Sequence, residues 1–256
     1  MLSSETEQKS TLKWWYAIAN KKRSLKHGKI ELSILVPCYN EADNIEKCLR
    51  RIPSMPWRTE IIVIDDGSYD DTAKAALKTK VKNLRVIGYK PNRGKGYAVR
   101  VGINAARGKF AIILDADMAT QPEEIPMVVK PLFDGTADFV NGTRFVYPME
   151  KGSMKALHKP GNRAFALLVS LIIKQYLTDS LCGFKAFKVR QFRGKLKENG
   201  WPDFELLIKA KRMNMRILEV PIHYRWRVAG VSKMRTFRHG YSMLKMLAKS
   251  LRRDSR

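Results

Sequence analysis

Two aspartates separated by one alanine, Asp115 and Asp117, follow the apolar run Phe110–Leu114. Alternation along a strand would point both carboxylates the same way. Carboxylates that close repel unless a divalent cation lies between or near them. Mg²⁺ suits one or two carboxylates acting together with substrate phosphates, and Mn²⁺ also prefers oxygen ligands. Two more polar clusters follow apolar runs in the same way. Pro37, Tyr39, Asn40 and Glu41 come after Leu32–Val36, and Asp65, Asp66, Gly67 and Ser68 after Ile61–Ile64. Ahead of the aspartate pair lies Asn92-Arg93-Gly94-Lys95-Gly96, where glycines at a helix start would let backbone approach a phosphate and Lys95 would add charge. Its glycine spacing is neither that of a dinucleotide fingerprint nor that of a phosphate loop. Helix capping is the competing account of Asn40, Asp70 and Asp71. It does not account for Asp115 and Asp117.

These clusters need elements to hold them. Leu32–Val36, Ile61–Ile64, Leu84–Ile87 and Phe110–Leu114 are short, rich in β-branched residues and bounded by turn residues, which predicts strands. Helical patterning falls between them, at about Glu41–Arg51, Asp70–Lys78 and Gly96–Ala106. Strands alternating with helices predict an α/β fold with a mostly parallel sheet covered on both faces. In such sheets the ligand crevice lies beyond the carboxyl ends of the strands, where the three polar clusters fall.

Length and charge set the outer bounds. The chain has 256 residues with 49 Lys and Arg against 24 acids, a net charge of +25. Residues 1–143 carry +6 and residues 144–256 carry +19, so the second half expects a polyanionic partner. The longest apolar run, Ala164–Ile173, is half of the ~20 residues a membrane span needs. It reads either as core or as a helix inserted shallowly in a membrane. Three cysteines, Cys38, Cys48 and Cys182, cannot make a disulfide framework and point to a reducing compartment. No Ser or Cys nucleophile with a partner His stands out. A nucleic-acid module would leave the carboxylate pair unexplained, and the basic half lacks a binding motif, so no nucleic-acid partner is expected.

In order and spacing, Leu32–Glu41, Asp65–Ser68, Asn92–Gly96 and Asp115–Asp117 resemble the family 2 glycosyltransferases of the nucleotide-sugar GT-A fold. Gly142-Thr143-Arg144, Asp179 to Lys185, Asp203-Phe204-Glu205, Val220-Pro221-Ile222 and Arg227 with Gly230, Ser232 and Lys233 resemble the dolichyl-phosphate mannose synthase branch, which includes polyprenyl-phosphate glycosyltransferases. The resemblance implies that Pro37, Tyr39, Glu41 and Asp66 hold the base and ribose of a UDP- or GDP-sugar, and the Lys95 charge noted above would join them on the nucleotide. It also implies that Asp115 and Asp117 bind Mg²⁺ or Mn²⁺ and the diphosphate. Arg144, Arg227, Ser232 and Lys233 would face the acceptor phosphate, and Asp117, Arg144, Arg227 and Lys233 would carry catalysis. One position departs: the branch often has Gln two places after the second aspartate, where this chain has Ala119, with Gln121 two further on.

The chemistry agrees with a lipid-phosphate acceptor. Breaking the sugar–diphosphate bond leaves charge on the nucleotide that a metal and fixed cations stabilise. A phosphate acceptor is already anionic near neutral pH, whereas a glycan or lipid hydroxyl would need a general base, with Asp203 or Glu205 the candidates. Beyond Met234, Phe237, Tyr241, Leu244, Ala248 and Leu251 form an apolar stripe among basic residues, the pattern of a membrane-surface helix. The expected organisation is a basic arm at residues 1–28, a glycosyltransferase domain at 29–233 and an amphipathic helix at 234–256. An enzyme so built would sit in the cytoplasm, peripheral on the cytoplasmic face of an anionic membrane, and could work beside a membrane-spanning partner chain.

Overall fold

The computed structural model describes residues 28–150 and 158–225. The 234–256 helix, the arm before Gly28, and Arg227, Ser232 and Lys233 lie outside the described residues.

β1 (Leu32–Cys38), α1 (Ala42–Arg50), β2 (Thr59–Asp65), α2 (Thr72–Lys78), β3 (Leu84–Gly88), α3 (Lys95–Ala105) and β4 (Phe110–Ile113) follow in the predicted alternation. The second half adds α4 (Ile125–Phe133), β5 (Phe139–Thr143), α5 (His158–Ile173), β6 (Lys185–Lys188), α6 (Val189–Phe192), α7 (Pro202–Arg212) and β7 (Ile217–Pro221). The seven strands form one sheet in the order β3-β2-β1-β4-β6-β5-β7. All neighbours are parallel except β6, which runs antiparallel between β4 and β5.

Alternate residues of each strand supply two cores, because both faces of the sheet are covered. Leu32, Ile34 and Val36 pack with Ile45 and Leu49 of α1 and Val128 and Leu132 of α4. Leu35, Ile62 and Ile64 pack on the other face with Val99 and Ile103 of α3, Val169 of α5 and Leu207 of α7. From β1 the chain steps outward to β2 and β3, then α3 carries it back across the sheet to β4 on β1's other side. That reversal between β1 and β4 opens the crevice at their carboxyl ends.

α5 buries one face of the apolar run and leaves the other exposed. Ala166, Val169 and Ile173 are buried, while Leu167, Leu168 and Leu171 on the outer face are 57%, 41% and 67% exposed. No described helix is long and apolar enough to cross a membrane.

The amino end of the sheet is fastened by a buried polar cluster. Glu60 of β2 accepts hydrogen bonds from Ser33 Oγ (2.8 Å), the Arg107 N–H (2.6 Å) and the Arg85 guanidinium (3.0 Å). Glu60→Ala strips the acceptor from these donors and should destabilise the fold by about 2–3 kcal/mol. Denaturant midpoints measure it. The crevice should stay intact at low temperature, because the cluster is at the end of the strands away from it.

Candidate active site

The first two rim loops are stapled together by their own side chains. Asn40, at φ +52°, donates its N–H to Ser68 Oγ (2.9 Å) and accepts the Tyr69 N–H on its side-chain oxygen (2.9 Å). Asp70 accepts the N–H of Ala42 (3.1 Å) and of Thr72 (3.0 Å), the first residues of α1 and α2. Thus Asp70 caps two helices, while Asn40 braces the loop. Asp71 makes no capping bond and pairs with Lys74 (2.8 Å). Half-buried Pro37, near the end of β1, and Tyr39 and Glu41 after it line the rim, with the Tyr39 ring edge-on to Tyr69 at 6.4 Å.

Asp66 turns into the protein at the second rim loop. It is 3% exposed, and its carboxylate accepts the N–H of Arg93 (2.8 Å) and Gly94 (2.8 Å) and the Asn92 side-chain amide (2.9 Å). Its work is to hold the 92–94 loop. Asp65, at the end of β2 and only half buried, is the carboxylate of the pair that stays at the rim, where its Oδ1 accepts the Ser68 N–H (2.9 Å). The doubled aspartate could not reveal which one turns inward.

The glycines at the start of α3 also serve a different end. A Cβ on Gly94 would fall 2.6 Å from the Asn199 carbonyl oxygen, and one on Gly96 2.5 Å from that of Glu198. The Gly96 N–H itself donates to the Asn199 oxygen at 2.7 Å. The expected phosphate cradle is therefore filled by the protein's own backbone. What remains of that expectation is Lys95, whose Nζ lies 2.7 Å from Asp115 Oδ1.

β4 ends at Ile113, so Asp115 and Asp117 lie past the strand and its alternation does not aim them. Asp115 is not the unpaired carboxylate expected from the sequence, since Lys95 neutralises it. Asp117, 8% exposed, accepts the Ala119 N–H at 3.0 Å inside a turn where Met118 has φ +56°. Gly183 keeps space beside the ion pair, because a Cβ there would sit 2.6 Å from Asp115 Oδ2 and 2.7 Å from Lys95 Nζ. Two clustered carboxylates and a preserved gap fit a hard divalent cation that completes its shell with phosphate oxygens. Gln121 does not stand in for the glutamine replaced by Ala119: its oxygen accepts from Arg51 (2.6 Å) and its amide donates to the Met118 carbonyl (3.1 Å). Among the described residues no three His, Cys, Asp or Glu side chains converge as a metal site.

Behind the rim lies a buried charge network. Arg144 is bidentate to Asp179, through Nε at 2.6 Å and Nη2 at 2.9 Å. Burial opposes the charge on Asp179, but Arg144 overrides it and holds the carboxyl below its ordinary range. Lys185, fully buried, donates to the Asn141 side-chain oxygen (2.5 Å) and the Cys182 carbonyl (2.6 Å), and burial pushes its ammonium below the usual lysine range. Asn141 and Glu219 tie these groups to β5 and β7 (3.0 Å). The two candidate bases part company here. Glu205 accepts the N–H of Lys197 (2.8 Å) and Glu198 (3.0 Å) and so shapes the loop before α7. Asp203 is buried with one oxygen lacking a hydrogen-bond partner, and burial raises its pKa against the pull of Lys95 and Lys185.

The family described as glycosyl transferase family 2 matches residues 33–198. Glycosyltransferase AglD of Haloferax volcanii is 30% identical over 219 residues, 80% of this chain but 34% of that relative, so the chain spans about a third of its length. The dolichyl-phosphate beta-glucosyltransferase of Dictyostelium discoideum is 30% identical over 238 residues, 84% of this chain and 72% of the relative. Among solved structures, glucosyl-3-phosphoglycerate synthase of Mycobacterium tuberculosis, in complex with Mn²⁺, UDP and glucosyl-3-phosphoglycerate, superposes with a TM-score of 0.65 at 22% identity. That match covers 87% of this chain and 78% of that one. The sheet order agrees with the GT-A fold expected from the sequence, and the chain belongs to glycosyl transferase family 2 and is a glycosyltransferase.

Proposed function

We propose that the enzyme moves a sugar, with inversion, from a UDP- or GDP-sugar to a polyprenyl phosphate of the dolichyl type at an anionic membrane surface. The observation that carries the donor reading is the meeting of Lys95, Asp115, Asp117 and the Gly183 gap at the sheet's switch point. Pro37, Tyr39, Glu41 and Asp65 line the rim for base and ribose, while Asp66 acts one step removed by holding the 92–94 loop. Asp115 and Asp117 would hold Mg²⁺ or Mn²⁺, which supplies electrostatic stabilisation of the leaving diphosphate. Lys95 is a resident cation beside the same charge. The Mycobacterium tuberculosis structure, with Mn²⁺ and UDP on the same fold, supports a metal and a uridine nucleotide.

The acceptor reading rests on the named activity of the Dictyostelium discoideum relative and on the +19 second half. Arg227, Ser232 and Lys233 would grip the acceptor phosphate. Arg144, held by Asp179, would contribute as a rigid positive edge. The sequence 151–178 has five Lys and Arg and no acid, and exposed Arg163 and Lys174 flank the exposed Leu167, Leu168 and Leu171 of α5. Basic residues beside an apolar face match an anionic lipid interface. A second reading keeps the donor site and transfers to a hydroxyl with Asp203 as base. The buried Asp203 oxygen without a hydrogen-bond partner favours it.

Nucleotide sugars assayed with Mn²⁺, with and without a short polyprenyl phosphate, test the proposal. Transfer only to hydroxyl acceptors would refute the lipid-phosphate reading. Asp117→Asn should lose most Mn²⁺-dependent binding of the nucleoside diphosphate by calorimetry while melting normally. Unchanged affinity would remove Asp117 from the metal site. With polyprenyl phosphate as acceptor, Arg227→Ala should lower turnover ~10²–10³-fold, the scale of one electrostatic donor to a transition state. Asp203→Asn should be milder, since an ionised phosphate needs no deprotonation. The reverse ranking selects the hydroxyl reading. Leu167→Ser with Leu171→Ser should weaken binding to anionic vesicles about fivefold or more, given the apolar area withdrawn. Binding should also fall with added salt. Equal recovery on neutral and anionic vesicles would refute the membrane-surface reading.

A further inference from the structure

The segment after β7 is tied to the turn that carries Asp117. Ala119 donates its N–H to the Asp117 carboxylate (3.0 Å) and offers its carbonyl to the Arg225 N–H (3.0 Å). Thr120 and Tyr224 form an antiparallel bridge between the same two segments. Glu124, at the end of the 3₁₀ turn Pro122–Glu124, closes the connection. Its carboxylate meets the His223 N–H at 3.1 and 3.2 Å and the ring Nδ1 at 2.5 Å. The far side of the His223 ring system is fixed too, stacked on Tyr147 at 4.4 Å with 6° between planes. Arg144 lies 5.1 Å from the centre of the Tyr224 ring. One short extended segment, 222–225, therefore touches the 117–121 turn on one side and the buried arginine on the other. The sequence then runs directly into Arg227, Ser232 and Lys233.

We infer that Glu124 is a positioning residue for the transfer reaction: by holding His223 it docks segment 222–225 on the 117–121 turn, so that filling the nucleotide–metal site is felt at the start of the acceptor-side segment. The inference rests on the proposed acceptor role of that segment. The geometry favours coupling over mere support for two reasons. Ala119 bonds to the carboxylate that would take the metal and to Arg225, so a reorientation of Asp117 passes through one residue. Both Glu124 oxygens meet the His223 N–H and Oε1 also meets its ring, which makes Glu124 the fastening point. A coupling of this kind is an equilibrium effect and works in both directions.

The test uses the full chain, UDP and Mn²⁺, read first by amide hydrogen exchange. In the wild type, adding UDP with Mn²⁺ should slow exchange in a peptide covering 222–225. In Glu124→Ala that response should vanish although the nucleotide Kd stays within about threefold. With polyprenyl phosphate at saturating donor, kcat/KM for the acceptor should fall by about tenfold, within the usual range of coupling between sites. Glu124→Gln keeps an oxygen for the His223 N–H and should restore most of both signals. Normal acceptor kinetics in Glu124→Ala overturn the inference. So does an equal loss of nucleotide affinity, which would make Glu124 a support of the metal turn alone. A wild-type exchange pattern indifferent to UDP and Mn²⁺ overturns it as well. Absence of transfer to polyprenyl phosphate by the wild type refutes the proposed function instead, and the exchange readout still decides the coupling.

Discussion

The ion pair between Lys95 and Asp115 is the contact on which the site's geometry converges. Lys95 opens α3, Asp115 follows β4, Gly183 stands just ahead of β6, and Asp203 in the first turn of α7 adds its field to the same ammonium. Four separate stretches of chain are thus registered against one pair of charges. Burial draws the lysine's pKa down, and the two carboxylates more than offset this, so the ammonium stays charged. Without it, Asp115, Asp117 and Asp203 would face one another across a poorly solvated crevice, which disfavours the folded state. A metal ion held at Asp115, as proposed, would share that carboxylate with the Lys95 ammonium already paired to it.

Behind this pair, charge is balanced in layers rather than one residue at a time. Arg144 belongs to Asp179, Lys185 is held by neutral oxygens, and Glu219 accepts from the side-chain amide and backbone around them. Each buried polar group there draws on at least two strands or loops. That redundancy is what a low-dielectric interior demands of ionised groups. It also means that the basic half is divided in kind: part of its charge is structural and internally compensated, and part faces outward around α5.

Local periodicity made the first half readable. Leu32–Val36, Ile61–Ile64, Leu84–Ile87 and Phe110–Leu114 are strands within two residues of their expected bounds, because apolar runs covered on both faces leave an unambiguous trace. The pairing of β5, β6 and β7 left no such trace, since it depends on contacts between residues far apart in sequence. At the site, residue types were readable but directions were not. Asp65 and Asp66 look alike in sequence, yet only Asp66 turns inward to the 92–94 amides. Gly94 and Gly96 look like a phosphate cradle, yet they make room for carbonyls more than a hundred residues away in the chain. Gln121 could only be judged once Arg51 was seen to hold it. Glu124 and His223, 99 residues apart, carried no signal at all.

The reversed direction of β6 sets where this architecture can vary. Every parallel strand delivers to the crevice the residues that come after it. β6 runs the other way between β4 and β5, so it delivers the residues that come before it: Asp179, Cys182, Gly183 and Lys185 at its head. Its tail, leading into α6, emerges beside Lys109 at the opposite end of the sheet. Changes of length just ahead of β6 should therefore disturb the crevice, the mirror image of the rule for its neighbours. A break at Leu181 would cut through the crevice side of the sheet, whereas the junction of β6 and α6 at Val189 lies at the far end, bonded to Lys109.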